Sequence, residues 1–163
     1  MSIWMVLAAG AMAACVLPPS SHAQVLMQRD VSLAMGLAAA EAAVEECAKT
    51  GSSVSVAVVD RAGRLRVFLQ GDKAAPHNIE LARRKAYTAR TFGRPSAEWA
   101  ERTGPTSDVA GQRQLAEVIP LKGGIPMKIG AETIGAIGVS GSSTDGDENC
   151  AKAGVAKIAD QLK

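Results

Sequence analysis

A glycine-rich stretch, residues 121–143, constrains the fold of this chain more than any other. Two short apolar runs, residues 125–129 and 133–140, flank the connection formed by residues 130–132. Apolar runs that are joined by a short loop containing glycine are typical of a β-hairpin. The sequence therefore predicts a hairpin with a three-residue loop.

The second run of this hairpin carries three glycines, Gly135, Gly138 and Gly141. A glycine inside a strand usually marks a place where another backbone or a ligand comes very close. Pro126 stands near the start of the first run, where its missing N–H is tolerated. The stretch contains no GxxxxGK[ST] pattern, so we interpret it as part of a sheet rather than as a phosphate-binding loop.

Length and composition indicate one domain with a core of small side chains. The chain has 163 residues, of which 47% are hydrophobic and 3% are aromatic. The net charge is +2, and no basic tract or aromatic platform is visible. These features argue against a nucleic-acid-binding protein.

Residues 1–23 differ from the rest because they contain no charged side chain. An apolar run over residues 3–17 is followed by prolines and small residues that end at Ala23, which is typical of a signal peptide. The run is short for a membrane span. We therefore predict export to the periplasm or beyond, with cleavage after Ala23 and a mature domain over residues 24–163. A lipoprotein site at Cys15 is the alternative.

Two cysteines, Cys47 and Cys150, remain in the predicted mature domain. An even number of cysteines in an oxidising compartment is compatible with a disulfide bond. The two alternatives are a pair of buried thiols and a disulfide between the first and last helices, and we predict the Cys47–Cys150 disulfide.

The order of predicted elements indicates an α+β fold. Two hairpins that are separated by helices imply an antiparallel sheet with helices packed on it. The turn that starts at Asp60 favours a role for this side chain in turn formation. The predicted helices cover residues 31–49, 77–92, 96–102 and 149–162, and the first two strands cover residues 53–60 and 64–70.

Two helices show an apolar periodicity that predicts their buried faces. In the first helix the predicted stripe is Leu33, Leu37, Ala40, Val44 and Cys47. In the helix over residues 77–92 it is Ile79, Ala82, Ala86 and Ala89.

His77 is the residue with the most distinctive chemistry, because the mature domain has no other histidine. It is either a surface residue at the start of a helix or a haem or metal ligand, since imidazole is a common iron ligand. Met127 and Tyr87 are candidate secondary ligands, with roles in the core or at the surface as the alternative.

The remaining charged clusters have simpler interpretations. Asp145, Asp147 and Glu148 precede the last predicted helix, where the helix dipole favours acidic side chains, and metal binding is the alternative. The basic cluster at residues 83–85 is interpreted as a solvated face or a subunit contact. No nucleophile elbow with a partner histidine supports a catalytic triad.

Five segments taken in order resemble the GlcG/HbpS-like haem-binding family. They are residues 56–63, 82–89, 123–126, 135–141 and 147–148. The resemblance implies a profilin-like α+β fold with a five-stranded antiparallel sheet flanked by helices. It also implies homo-oligomers, including octamers, and links to haem or iron binding, to redox sensing beside a sensor kinase, to corrinoid enzymes and to glycolate-type operons.

The resemblance also implies where a ligand would bind. Gly123, Gly124 and Pro126 match the loop that shapes the pocket. The resemblance assigns the haem ligand to no particular motif position, so the candidate comes from the residues themselves. His77 or a neighbouring side chain would touch the iron, and Lys85 stands on the helix beside the pocket.

The leading hypothesis is therefore an exported, non-catalytic protein that binds or senses haem. The alternative is an enzyme module, linked to a small metabolite or a corrinoid, that acts on a small hydroxy acid. Such a module would need Lys85, Arg83 or Arg113 to pair with a carboxylate. A structural oligomer without a ligand is a third possibility.

Overall fold

The computed structural model describes residues 24–163. The predicted signal peptide, residues 1–23, and the alternative lipoprotein site at Cys15 lie outside the described residues. None of the helices in the described part has both the length and the apolar character needed to cross a bilayer. In chain order the elements are α1 (Leu33–Ala48), β1 (Ser55–Val59), β2 (Leu65–Gln70), α2 (His77–Phe92), α3 (Ser96–Arg102), a 3₁₀ turn (Ala110–Gln114), β3 (Gly124–Ile129), β4 (Glu132–Ser140), α4 (Thr144–Lys157) and a second 3₁₀ turn (Ala159–Gln161).

The strands form one antiparallel sheet in the order β2-β1-β4-β3. The predicted α+β class, with an antiparallel sheet flanked by helices, is confirmed. The implied five-stranded sheet is wrong, because residues 24–163 form four strands. Residues 103–123, which could have supplied another strand, instead form loops and a 3₁₀ turn. Arg113 holds that turn against α3 by donating to the backbone oxygen of Ala100 at 2.6 Å.

Small and large side chains alternate over residues 55–58 of the central strand β1. Val56 and Val58 belong to the core on the side of α1 and α4, whereas Ala57 and Val59 face α2. Because successive side chains of a strand point to opposite faces, this alternation gives the sheet one bulky and one flat surface. Helix α2 can therefore approach the flat surface closely.

Two glycines of the hairpin, Gly124 and Gly138, lie where the backbone of α2 touches the sheet. A Cβ atom at Gly138 would stand 2.1 Å from the Ala82 backbone oxygen, and one at Gly124 would stand 2.2 Å from the Lys85 oxygen. The prediction that another backbone comes close to the glycines of this strand is confirmed at Gly138. The hairpin loop is shorter than predicted, because Glu132 already pairs with Ile129.

Helices α1 and α4 pack against each other through small residues. A Cβ atom at Gly154 would stand 2.5 Å from the Ala39 oxygen, so the helix backbones are nearly in contact. The structure joins Cys47 and Cys150 by a disulfide at this interface, with an S–S distance of 2.09 Å. The close approach explains why the buried face of α1 consists mainly of alanines.

Two of the predicted helix faces need correction. On α1, Leu33 is 63% exposed and Leu37 is 39% exposed, because Gly36, Ala39 and Ala43 occupy the buried side instead. On α2, Ile79 is 43% exposed, while Ala82, Ala86 and Ala89 are buried as predicted.

Helix α4 begins five residues earlier than predicted, at Thr144. The Ser143 side chain accepts a hydrogen bond from the Gly146 N–H at 3.0 Å and caps the helix. Such a cap satisfies one of the free N–H groups of the first turn. The acids Asp145 and Asp147 therefore lie within the first turn of the helix.

Helix α3 closes one end of the α2 face. Trp99 is fully buried and its ring stacks on Phe92, with the ring centroids 4.8 Å apart. The Trp99 Nε1–H donates to the Gln112 side chain at 3.3 Å. This contact links α3 to the 3₁₀ turn and leaves the N-terminal end of α2 free for a cleft.

Candidate functional site

A cleft of about 400 Å³ opens at the N-terminal end of α2. On one side it is bounded by α2, and on the other by the loop that connects β4 to α4. Its walls combine apolar, hydroxyl and charged side chains. The lining residues are Ala75, His77, Asn78, Leu81, Lys85, Leu121, Ser140, Gly141, Ser142, Thr144 and Asp147.

Three side chains of α2 enter the cleft at four-residue spacing, namely His77, Leu81 and Lys85. Residues four apart lie on the same face of a helix, one above the other. His77 is exposed at the rim, Leu81 is half-buried and Lys85 is fully buried. The helix therefore presents an imidazole at the mouth of the cleft and a cation at its base.

The start of α2 is fixed to the end of β4 by a buried hydrogen bond. The Ser140 hydroxyl donates to the Asn78 side-chain oxygen at 3.1 Å. Both residues are buried, so the bond is sheltered from water. This contact holds the helix turn that carries His77 in a defined position.

Lys85 and Asp147 form a buried ion pair at the base of the cleft. The Lys85 Nζ atom lies 2.7 Å from Asp147 Oδ2 and donates a second hydrogen bond to the Val139 backbone oxygen at 2.9 Å. The other oxygen of Asp147 accepts from the Ser142 N–H at 2.9 Å. The pair therefore ties α2, β4 and the first turn of α4 together.

Burial raises the pKa of the Asp147 carboxyl above its ordinary value, and the hydrogen bond from Lys85 opposes this rise. Removing a carboxylate from water disfavours its charged form, whereas a nearby cation favours it. The charged form of the Asp147 carboxyl therefore depends on its hydrogen bond from Lys85.

The glycine loop before β3 lies directly behind the ion pair. Gly123 has a φ of +113°, and a Cβ atom there would stand 2.9 Å from the Asp147 Cβ and 3.2 Å from Lys85 Nζ. The Ser96 hydroxyl fixes this loop by donating to the Leu121 oxygen at 2.6 Å and accepting from the Gly124 N–H at 2.9 Å. A side chain at position 123 would displace the base of the cleft.

The structure brings some of the predicted site residues together and separates others. His77 and Lys85 line the same cleft, and Gly123 packs against its base. Gly124 presses on the α2 backbone, and Pro126 lies further along the edge strand β3, so neither lines the cleft.

Met127, a candidate secondary ligand, is fully buried in the core on the side of α1 and α4. Tyr87, the other candidate, covers Gly63 at the β1–β2 turn.

The three cations that were considered for a substrate carboxylate are already engaged within the molecule. Lys85 pairs with Asp147, and Arg83 pairs with Glu80 and Glu117. Arg113 donates to the Ala100 oxygen and to the Thr103 hydroxyl. The interpretation of residues 83–85 as a solvated face is wrong for Lys85, which is buried.

Asp147, Asn78 and Ser140 were not recognised from the sequence as residues of the cleft. The 77-81-85 spacing on one helix would have grouped His77 with Lys85. The ion pair itself joins positions 62 residues apart, and no local pattern indicates it. Among the described residues, no group of three or more His, Cys, Asp or Glu side chains could hold a metal ion.

Comparisons with known proteins match most of the described chain. A family model described as "Haem degrading protein HbpS-like" matches residues 31–156. Protein GlcG of Escherichia coli is 34% identical over 118 residues, which cover 70% of this chain and 85% of GlcG. A crystal structure of HbpS is 37% identical, with a TM-score of 0.77 over 82% of this chain and 93% of that one. The crystal structure of a PduOC–haem complex is 27% identical, with a TM-score of 0.74 over 78% of this chain and 94% of that one.

Proposed function

The chain belongs to the HbpS-like family, and from this premise we propose that it is an exported, non-catalytic protein that binds haem in the His77 cleft. The observation that carries the proposal is the position of His77. It is the single histidine of residues 24–163, and it stands exposed at the rim of the cleft. The relative PduOC, which shares the fold, has been crystallised as a haem complex.

The residues of the cleft fit haem as a ligand. Imidazole is a common axial ligand of haem iron. Leu81 and Leu121 offer apolar surface to a flat macrocycle, and the Ser142 and Thr144 hydroxyls offer hydrogen bonds to its carboxylates. Bound haem supplies an iron centre for redox chemistry, while the chain binds that group and limits its contact with water.

The decisive experiment is an absorbance titration of residues 24–163 with haemin. We expect a saturable, shifted Soret band, and we expect His77→Ala to weaken haemin binding at least several-fold. Because the substitution removes the imidazole and leaves the cleft, added free imidazole should restore the wild-type spectrum. Lys73→Ala is the matched control, since Lys73 is exposed in the loop before α2 and does not line the cleft.

The possible outcomes distinguish haem binding by the domain from iron ligation by His77. A titration of the wild-type domain without a Soret shift would refute haem binding. A normal band whose affinity and spectrum are unchanged in His77→Ala would keep haem binding and remove His77 as the iron ligand.

Export is proposed from the sequence of residues 1–23 and is supported by the Cys47–Cys150 bridge. Structural disulfides are typical of proteins outside the reducing cytosol. Intact-mass analysis of the periplasmic fraction should give a chain that begins at Gln24. A chain recovered in the cytosol with residues 1–23 still attached would contradict this proposal.

Assembly into a homo-oligomer is proposed from the resemblance and is supported by exposed leucines. Leu33 is 63% exposed on α1 and Leu65 is 50% exposed on the edge strand β2. Exposed apolar surface often marks a subunit interface. Light scattering of the purified domain should give a mass of several chains, and a monomer at all concentrations would refute the assembly.

A further inference from the structure

One end of the molecule is strongly basic. It is formed by the segment before α1, the two hairpin turns and the C-terminal end of α2. Arg61 in the β1–β2 turn donates to the Arg29 backbone oxygen and pairs with Glu132 at the β3–β4 turn. At Gly93, which follows α2, a Cβ atom would stand 3.3 Å from the Thr133 hydroxyl. We call this region the basic end, and it comprises residues 29–30, 60–66, 90–94 and 128–132.

The charge of the basic end differs from that of the rest of the chain. The basic end contains seven basic side chains and three acidic ones, which gives it a net charge of +4. Because the whole chain carries +2, the remaining residues together carry −2. Arg29 and Arg61 pair with Glu132, and Arg66 pairs with both aspartates. The other basic side chains form no ion pair in the described part of the chain, and they are Arg64, Arg90, Arg94 and Lys128.

Three large apolar side chains lie directly before the basic end and are almost uncovered. Val25 is 87% exposed, Leu26 is 76% exposed and Met27 is 86% exposed. The chain enters the basic end a few residues later, where the Asp30 carboxylate accepts a hydrogen bond from the Arg61 N–H at 2.9 Å. This bond tethers the apolar residues beside the positive charges.

The exposure of all three side chains indicates which kind of surface would cover them. Residues 24–32 form neither a helix nor a strand, and consecutive side chains point in different directions. One flat protein surface would therefore cover only part of residues 25–27. The boundary of a bilayer surrounds an inserted segment on several sides, and its anionic headgroups attract arginine and lysine. Apolar insertion combined with a basic patch gives peripheral membrane binding.

We propose that residues 25–27 and the basic end bind the surface of a membrane that contains anionic phospholipids. The three apolar side chains insert among the headgroups, and the exposed Arg64 and Lys128 side chains contact the phosphates. The association is peripheral, because three apolar side chains are far fewer than a membrane span requires. His77 begins α2 at its opposite end, roughly 20 Å along the helix from Arg90, so the His77 cleft stays open to water.

The experiment is co-sedimentation of residues 24–163 with vesicles. One set of vesicles contains equal amounts of phosphatidylglycerol and phosphatidylcholine, and the other contains phosphatidylcholine alone. We expect the protein to bind the anionic vesicles at least about tenfold more strongly. Salt at about 1 M should weaken this binding, because it shortens the range of the electrostatic attraction. Haemin is absent from the measurement, so the result is independent of the function proposed above.

Two variants separate the apolar contribution from the electrostatic one. Val25→Ser, Leu26→Ser and Met27→Ser together should weaken binding to the anionic vesicles by at least about tenfold, because no apolar side chain remains to insert. Arg64→Gln should weaken it by about fivefold, the effect expected for one basic side chain near an anionic surface. Because all four residues are exposed, circular dichroism should show an unchanged fold in both variants.

The matched controls lie near the opposite end of α2. Ile79→Ser replaces an apolar side chain that is 43% exposed, and Lys73→Gln removes an exposed charge from the loop before the helix. Both controls should bind the anionic vesicles as strongly as the wild type does.

Three results would overturn the proposal. The first is a wild-type protein that binds neither kind of vesicle or binds both equally. The second is binding to anionic vesicles that the serine substitutions at residues 25–27 leave unchanged. The third is light scattering without vesicles in which those serine substitutions reduce the mass of the assembly, which would identify a second copy of the chain as the surface that covers residues 25–27.

Discussion

The Lys85–Asp147 ion pair is the residue-scale feature on which the His77 cleft depends. Each group supplies a charge that the other needs, and neither is open to water. Removing one member of a buried pair leaves the other charged and unpaired, which costs far more than the loss of a surface pair.

We predict that Asp147→Ala lowers the free energy of unfolding by about 3–5 kcal/mol, because Lys85 then remains buried without its partner. Urea denaturation followed by circular dichroism measures this loss. Asp145→Ala is the matched control. Asp145 lies in the same turn of α4 but is exposed, and its pair with Lys122 is a surface contact. Equal stability of the two variants would contradict the structural role assigned to the buried pair.

At the residue scale, the sequence indicated which side chain has distinctive chemistry, but it did not indicate which side chains form ion pairs. His77 stood out because it is the single histidine of residues 24–163, and its start-of-helix position follows from Pro76 and the stop signals after Phe92. Lys85 looked like part of an exposed basic cluster because charged residues are usually solvated. Its burial depends on an ion pair with Asp147, which lies in another helix. A contact between residues so far apart in sequence cannot be predicted from local composition.

At the element scale, the packing of α2 on the glycine surface of the sheet positions the His77 cleft. His77 begins this helix, and Lys85 lies two turns further along it. Because the alanine face of α2 touches backbone rather than flexible side chains, the helix has little room to shift. Any added side-chain atom at this interface should therefore destabilise the fold.

We predict that Gly138→Ala destabilises the fold by roughly 1–3 kcal/mol, because its Cβ would collide with the backbone of α2 at Ala82 and Ala86. Thermal unfolding measures the effect. Gly111→Ala serves as the control, since a Cβ atom at Gly111 meets nothing within 4 Å. A melting temperature of Gly138→Ala that equals that of the control would mean that the interface is looser than the structure indicates.

Helices with strong local stop signals were predicted well, and helices shaped by neighbours were not. The bounds predicted for α2 agree with the structure, because Gly93 and Pro95 end it. For α1, the leucine stripe suggested the buried face, yet close packing against α4 selects the alanine side. The start of α4 was missed because Asp145 and Gly146 are typical turn residues, while the Ser143 cap overrides that preference.

At the scale of the whole molecule, the bridge between α1 and α4 joins two cysteines, Cys47 and Cys150, that are 103 residues apart in sequence. A cross-link that closes so long a loop restricts the unfolded chain strongly. Of the four strands, all lie between the two bridged helices in chain order. The bridge therefore encloses the entire sheet in one covalent loop.

We predict that reduction of this bridge lowers the free energy of unfolding by about 4 kcal/mol in the chain-entropy model. For a domain of this size, that loss should lower the melting temperature by about 10 °C. Differential scanning calorimetry with and without a reductant measures the change. A Cys47→Ala, Cys150→Ala double variant should melt low under both conditions, and two free thiols in exported wild-type protein would refute the bridge.

The overall architecture was predictable as a class and not in its count of strands. Two hairpins separated by helices were enough to indicate an antiparallel α+β domain, since alternation and turns are local signals. The count of five strands was implied by the resemblance. Residues 103–123 contain polar side chains such as Arg113, whose hydrogen bonds to α3 hold the segment away from the sheet.

The stacking of Trp99 on Phe92 gives residues 24–163 an intrinsic fluorescent reporter. Trp99 is the single tryptophan of residues 24–163, and its indole is shielded from water at the α2–α3 junction. Its fluorescence should therefore be blue-shifted in the folded protein and move to longer wavelength on unfolding. Haem absorbs in the range where tryptophan emits, so a porphyrin at the other end of α2 would quench that emission without any added label.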